Sequence, residues 1–238
     1  MQALILLLAG AGVLRITLFG DVYLRYVKEG LRPFLIASGV LLVLTALAGL
    51  RKRTPAGCPS APIAHDGHPR AGAVHDHGSA PRVAWLLVPP ALAMLAFAPP
   101  ALGSYTANRE SAKRVEAGGP HFAPLPKGAV VPLTLTEFLE RSGADPASMR
   151  GRTVQLVGFV TPEKSGAGWR LTRLVVTCCA ADSQALQVPV RGAAAPPADA
   201  WVTVTGMPGP RGSLAVERLR RIAQPPNPYM DALPPPST

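Results

Sequence analysis

Charge is scarce in this 238-residue chain: Asp, Glu, Lys and Arg together make up 16% of it, against about 25% in an average soluble domain. So low a fraction excludes a disordered acidic chain and a charge-laced coiled coil. Cysteine is nearly absent too. Cys58, Cys178 and Cys179 cannot build the disulfide framework of a small secreted scaffold, and no CxxC pair is present for dithiol redox catalysis. Aromatic residues are only 5%, which leaves Phe159, Trp169 and Trp201 as the few candidates for stacking on bases, and these read better as core or rim residues. The net charge of +10 is shared by both halves of the chain. Its one compact basic block, Arg51-Lys52-Arg53, directly follows an apolar run and reads as a membrane orientation signal, so no nucleic-acid partner is expected. No Ser/His/Asp constellation, phosphate loop or paired-carboxylate motif argues for an enzyme.

What the chain has in quantity is apolar residues, 48%, and 27 prolines. Its basic residues are mostly arginine, which with the abundant Ala, Pro and Gly points to a bacterium with a GC-rich genome. Three apolar runs organise the N-terminal half. Pro33–Leu50 carries no charge and is long enough to cross a hydrocarbon core of about 30 Å. Ala3–Gly20 is apolar except for Arg15 and Thr17; lacking a basic n-region and a small-residue cleavage site, it reads as an uncleaved helix whose Arg15 faces a partner or snorkels towards Asp21. Val83–Tyr105 is uncharged, with Trp85 and Tyr105 near its ends, and its Pro89-Pro90 and Pro99-Pro100 pairs predict kinks. Three transmembrane helices, 3–20, 33–50 and 83–105, are therefore expected. Residues 51–82 carry five Lys/Arg, three of them directly after the second helix, against three in 20–32, which puts the 51–82 loop in the cytoplasm and everything after the third helix outside an inner, cytoplasmic membrane.

The expected cytoplasmic linker, residues 54–82, is rich in Pro, Gly and Ala and has no helical or strand period. It holds four of the five histidines, His65, His68, His75 and His77, beside Asp66 and Asp76 and downstream of Cys58. Imidazoles and carboxylates suit Zn²⁺, Ni²⁺ or Cu²⁺, and a flexible loop can fold around an ion. A solvated low-complexity linker with no selected ligand geometry is the alternative. The paired-Cys half of a zinc finger is missing.

Residues 106–120 read as a spacer, 121–224 as an extracytoplasmic domain and 225–238 as a Pro-rich tail. Thr136–Ser142 is expected to be a short helix capped by Thr136 and stopped by Gly143. Five apolar, β-branched runs then alternate with Gly/Pro breaks: Thr153–Val160, Trp169–Cys178, Ala185–Val190, Trp201–Gly206 and Ser213–Leu219. Their spacing suggests a small all-β, OB-like barrel. Cys178-Cys179-Ala-Ala-Asp182 stands at the end of the second of these strands. Adjacent residues of a regular strand point to opposite faces, so the two sulfurs would chelate one ion only if a turn intervened. Cys178, Cys179 and Asp182 are candidate ligands of a soft metal ion; a vicinal disulfide, or one core cysteine with one spare thiol, are the other readings. His121 is distant in sequence and would approach only through the fold.

The order of these features resembles the YcgQ-like family. The resemblance rests on Tyr26-Val27 and Arg32-Pro33 between the first two helices, the His-bearing loop, the third helix, Gly151–Val160, and Leu171–Asp182 with its LTRLVVTCCAAD run. It covers most of the chain, and it implies an accessory subunit of a two-component membrane permease complex whose partner is a separate polytopic permease subunit in the same bilayer. Combined with the two ligand-rich clusters, the expectation is a permease subunit linked to transition-metal handling, with zinc or a similar ion as the cofactor or cargo. A membrane-anchored thiol redox protein and a purely structural adaptor are the alternatives.

Overall fold

An almost unbroken supply of Leu, Val, Ile and Ala winds the N-terminal segments into α1 (Gln2–Leu18) and α2 (Arg32–Arg51). The computed structural model of the protein describes residues 2–51, 101–109, 122–163 and 168–234, and these form two units. In the first unit, residues 2–20 and 32–51, α1 packs on α2. Large apolar side chains such as Leu4, Phe34, Leu41 and Leu44 stay exposed. The helices meet through small residues. A Cβ on Gly10 would lie 2.8 Å from Val43 Cγ2 and 2.9 Å from the Gly39 carbonyl oxygen, so only glycine permits this approach. The Arg32 Nε donates to the Thr17 carbonyl at 3.1 Å, placing a cation at the C-terminal end of α1. Arg15 is exposed.

Glu29–Arg51 is long and apolar enough to cross a membrane, with a mean hydropathy of 2.2, whereas Ala3–Leu18 is a shorter apolar helix. The expected third helix falls largely outside the described residues. At its C-terminal end the structure differs from the expectation: Ala101–Gly103 are not helical, and Tyr105 belongs to a short helix α3 (Ser104–Arg109). The reason is local, since Asp199 accepts from Ser104 N at 2.5 Å and starts the helix there, and Ala107 is buried in the C-terminal unit.

That second unit comprises residues 21–31 and the described residues from 101 onwards. Its centre is a mixed six-stranded sheet: β1 (Val130–Pro132), β2 (Thr153–Pro162), β3 (Trp169–Val175), β4 (Gln184–Arg191), β5 (Trp201–Pro208) and β6 (Leu214–Arg221). The order is β1-β2-β3-β4-β6-β5, and β2 also pairs with β5, so five strands form a closed ring with β1 outside it. β4 and β6 run parallel, as do β1 and β2; the other neighbours are antiparallel. A bulge between Thr205 and Gly206 lets β5 curve against β6. A Cβ on Gly206 would collide with the Ala215 carbonyl, which is why glycine stands at the bulge.

Alternation along the strands sorts the apolar residues into two clusters. Leu156, Val160, Leu171, Val188, Val202 and Val204 form one core with Leu135, Phe138 and Met149, the first two carried by helix α4 (Leu135–Ala144). Val157, Phe159, Leu174 and Trp201 form the other, with Ala107 of α3 and Tyr229. Helix α4 begins earlier than the sequence suggested: its cap is Thr134, whose hydroxyl accepts from Glu137 N, rather than Thr136. The physical reason is Asp231, whose carboxylate accepts from Leu135 N at 3.0 Å and Thr136 N at 2.7 Å and satisfies two more amides of the first turn.

Asp231 lies in what reads from sequence as a Pro-rich tail, yet this segment is packed on the sheet domain. Tyr229 is buried and its hydroxyl accepts from Leu102 N at 2.8 Å. Arg173 is buried in β3, donates to the carbonyls of Val157 (3.0 Å) and Met230 (2.6 Å), and lies over the Trp201 ring. Burial lowers its pKa, opposed by the Asp231 carboxylate.

Candidate metal centre

Strand β3 stops at Val175, paired with Gln184 of β4, three residues short of the end expected from sequence. Beyond it the backbone bends at Thr177 and Cys178, Cys179 is extended (φ −151°, ψ 171°), and Ala180–Asp182 form one 3₁₀ turn. Asp182 makes the bend. Its Oδ1 accepts from Thr177 N at 2.9 Å and its Oδ2 from Cys178 N at 2.8 Å, a side-chain-closed loop of the kind that short acidic residues form. The period-two geometry that separates adjacent strand residues is thereby removed. One ligand atom from each of Cys178, Cys179 and Asp182 lies within 4.8 Å of the others. Cys178 is exposed, whereas Cys179 and Asp182 are half-buried.

A second stretch of chain completes the site. Residues 21–31, which join α1 to α2 in sequence, lie in the same unit as the sheet and are anchored by the buried side chains of Tyr23 and Leu24. Val27 forms an antiparallel bridge with Cys179. Lys28 N donates to the Cys178 carbonyl at 3.0 Å, and Ala180 N donates to the Tyr26 carbonyl at 2.7 Å. These bonds flank the pair rather than joining it, so Val27 and Cys179 form the narrow kind of antiparallel pair, in which side chains stand closest. Sequence reasoning missed this contact, and Tyr26-Val27 was its only trace.

The charges in the loop are ordered. The Cys178 thiol is pushed up to about 11, first by its hydrogen bond to the Asp182 carboxylate and then by Cys179. The same thiol, with the backbone amides of Cys178, Thr177 and Cys179, lowers Asp182 to about 2. A thiol held protonated at neutral pH is a poor redox nucleophile. It is a serviceable metal ligand, because an incoming ion displaces the proton. Two sulfurs and one carboxylate oxygen match the ligand preferences of zinc-like and softer ions and leave a tetrahedral ion one open position.

Among the described residues this is the one cluster of three or more such ligands. Cys178, Cys179 and Asp182 are thus brought together as the sequence suggested. His65, His68, His75 and His77, with Cys58, Asp66, Asp76 and His121, lie outside the described residues. Two larger surface hollows, about 330 and 310 Å³, are lined by neither cysteine; the first is bordered by Gln155, Thr203, Arg218 and Arg220, the second by Tyr105, Phe159, Asp199 and Trp201.

Residues 134–230 match the family model of the DUF1980 C-terminal domain, an uncharacterised family. The match runs from Thr134, the cap of α4, to Met230 and includes the Cys178–Asp182 loop. No curated protein and no solved structure matches the chain.

Proposed function

We propose that this protein is an accessory subunit of a bacterial permease complex, and that its C-terminal domain binds a thiophilic transition-metal ion through Cys178, Cys179 and Asp182. The observation that carries the reading is the convergence of those three ligand atoms within 4.8 Å at a bend tied by Asp182. The two sulfurs hold the ion, the carboxylate supplies an oxygen ligand while keeping the loop folded, and the open position lets the ion be passed on. The histidines of the 54–82 linker form a second binding region on the opposite side of the membrane. The closed ring β2-β3-β4-β6-β5, with β4 parallel to β6, supports an OB-like barrel for the domain.

A three-helix, multi-pass topology belongs to the same reading. Residues 26–28 are hydrogen-bonded to the sheet domain, so both stand on one side of the membrane. If α2 crosses, the chain crosses back before residue 101, and the uncharged stretch 83–100 is the segment suited to it. The excess of Lys and Arg in 51–82 supports an extracytoplasmic domain. The transport partner is a polytopic subunit, since three helices, one with Arg15 and one interrupted by prolines, make a poor pore alone.

The test is a pull-down of the tagged chain from detergent-solubilised native membranes, with metal analysis of the eluate. The expected result is a co-purifying polytopic protein and bound ion that falls in the Cys178→Ser/Cys179→Ser variant. Metal at background in both proteins would sink the metal reading, and absence of a partner would sink the permease reading.

A further inference from the structure

The loop that carries the proposed ligands is held from two sides. Asp182 ties Thr177 and Cys178 from within, and the segment between α1 and α2 ties the two backbone groups on either side of Cys179, the Cys178 carbonyl and the Ala180 amide. Resting on the metal reading above, we propose that ion binding at Cys178, Cys179 and Asp182 is coupled to docking of Tyr26–Lys28, so that the α1–α2 connector senses whether the site is filled.

The argument is conformational. Adjacent cysteines diverge in a relaxed extended chain, so their sulfurs converge only while the bend is held. Lys28 and Tyr26 fix the backbone on both sides of Cys179, and thereby the direction of both side chains. An ion that needs converged sulfurs binds the docked connector more tightly than the released one. Coupling of this kind is reciprocal: the bound ion strengthens docking by the same factor. The connector is built for such a role, because Tyr23 and Leu24 are buried and the turn Val22–Arg25 is closed by Tyr26 N and Val27 N donating to the Tyr23 carbonyl. Chain continuity does the rest. Leu18 ends α1 and Arg32 opens α2, so release or capture of the connector acts on the ends of both apolar helices, which is what a subunit that reports ion occupancy to a membrane partner requires.

Two proline substitutions isolate the backbone bonds. Lys28→Pro removes the amide that donates to Cys178. Ala180→Pro removes the amide that donates to Tyr26, and it stands at the first position of a 3₁₀ turn after an extended residue, where proline is tolerated. Lys28→Ala keeps its amide and is the control. Zn²⁺ affinity is measured on the full chain in detergent by competition with a chromogenic chelator, and amide hydrogen exchange is followed with and without Zn²⁺. Each proline variant is expected to bind about five- to tenfold more weakly, the magnitude of one net hydrogen bond, while Lys28→Ala binds as the parent does. In the parent protein, Zn²⁺ is expected to slow exchange at Lys28 and Ala180. Tight binding by the parent with unchanged affinity in both proline variants and unchanged exchange at Lys28 would overturn the coupling and leave the metal site standing. No Zn²⁺ binding by the parent would remove both. Should a proline variant lose its fold, exchange at Lys28 in the parent decides alone.

Discussion

Three threonines show what individual side chains contribute to this domain. The buried hydroxyls of Thr161, Thr172 and Thr203 have no hydrogen-bond partner among the described residues, an arrangement that costs stability. Thr172→Val, which keeps the shape and removes the hydroxyl, is expected to stabilise the domain by about 1 kcal/mol, read from the midpoint and slope of denaturant unfolding. Tyr229 provides the pH dependence. Burial raises its phenol above the ordinary value, outweighing the Leu102 amide that lowers it. A group whose folded value is raised gives stability that is full below its unfolded pKa, about 10, and is lost as the pH climbs through the folded value. Alkaline unfolding is therefore expected to set in above about pH 10, and Tyr229→Phe should flatten that limb of the stability curve. An identical alkaline limb in the two proteins would count against this assignment.

Secondary-structure elements were legible where their pattern is local. The alternation in Thr153–Val160 and Trp201–Gly206 marks β2 and β5 because each strand is long enough to show period two. Strand β1 has three residues and pairs in parallel with Thr153–Gln155, too short to show any period. The start of α4 depends on Asp231, from the far end of the domain, so local cap chemistry pointed to Thr136 and not Thr134. Asp231→Ala should therefore destabilise the domain by about 1–2 kcal/mol, and a thermal scan in which the variant unfolds with the parent would contradict that role. The cysteine loop was half legible: the ligand types are adjacent in sequence, but the bend needs Asp182, and the Val27 bridge joins segments with no local signal in common. In the helical unit, Gly10→Val should drive α1 and α2 apart, detected as lost disulfide cross-linking between cysteines engineered on their facing sides.

At the scale of the whole molecule, the proposed topology puts the connector and the sheet domain on one side of the membrane. Membrane sidedness can be examined directly: single cysteines at exposed Glu29 and exposed Gln184, in a chain lacking the native three, should be labelled by a membrane-impermeant reagent from the same side. Labelling from opposite sides would contradict the proposed topology. The central claim is that two sulfurs meet on one ion. Optical titration with Co²⁺ reads this most directly, because thiolate-to-metal charge-transfer intensity follows the number of bound sulfurs. The expected result is about one ion per chain at this site with thiolate bands, reduced in Cys178→Ser and in Cys179→Ser and abolished in the double variant. A Co²⁺ spectrum that is the same in the parent and the double variant would contradict it.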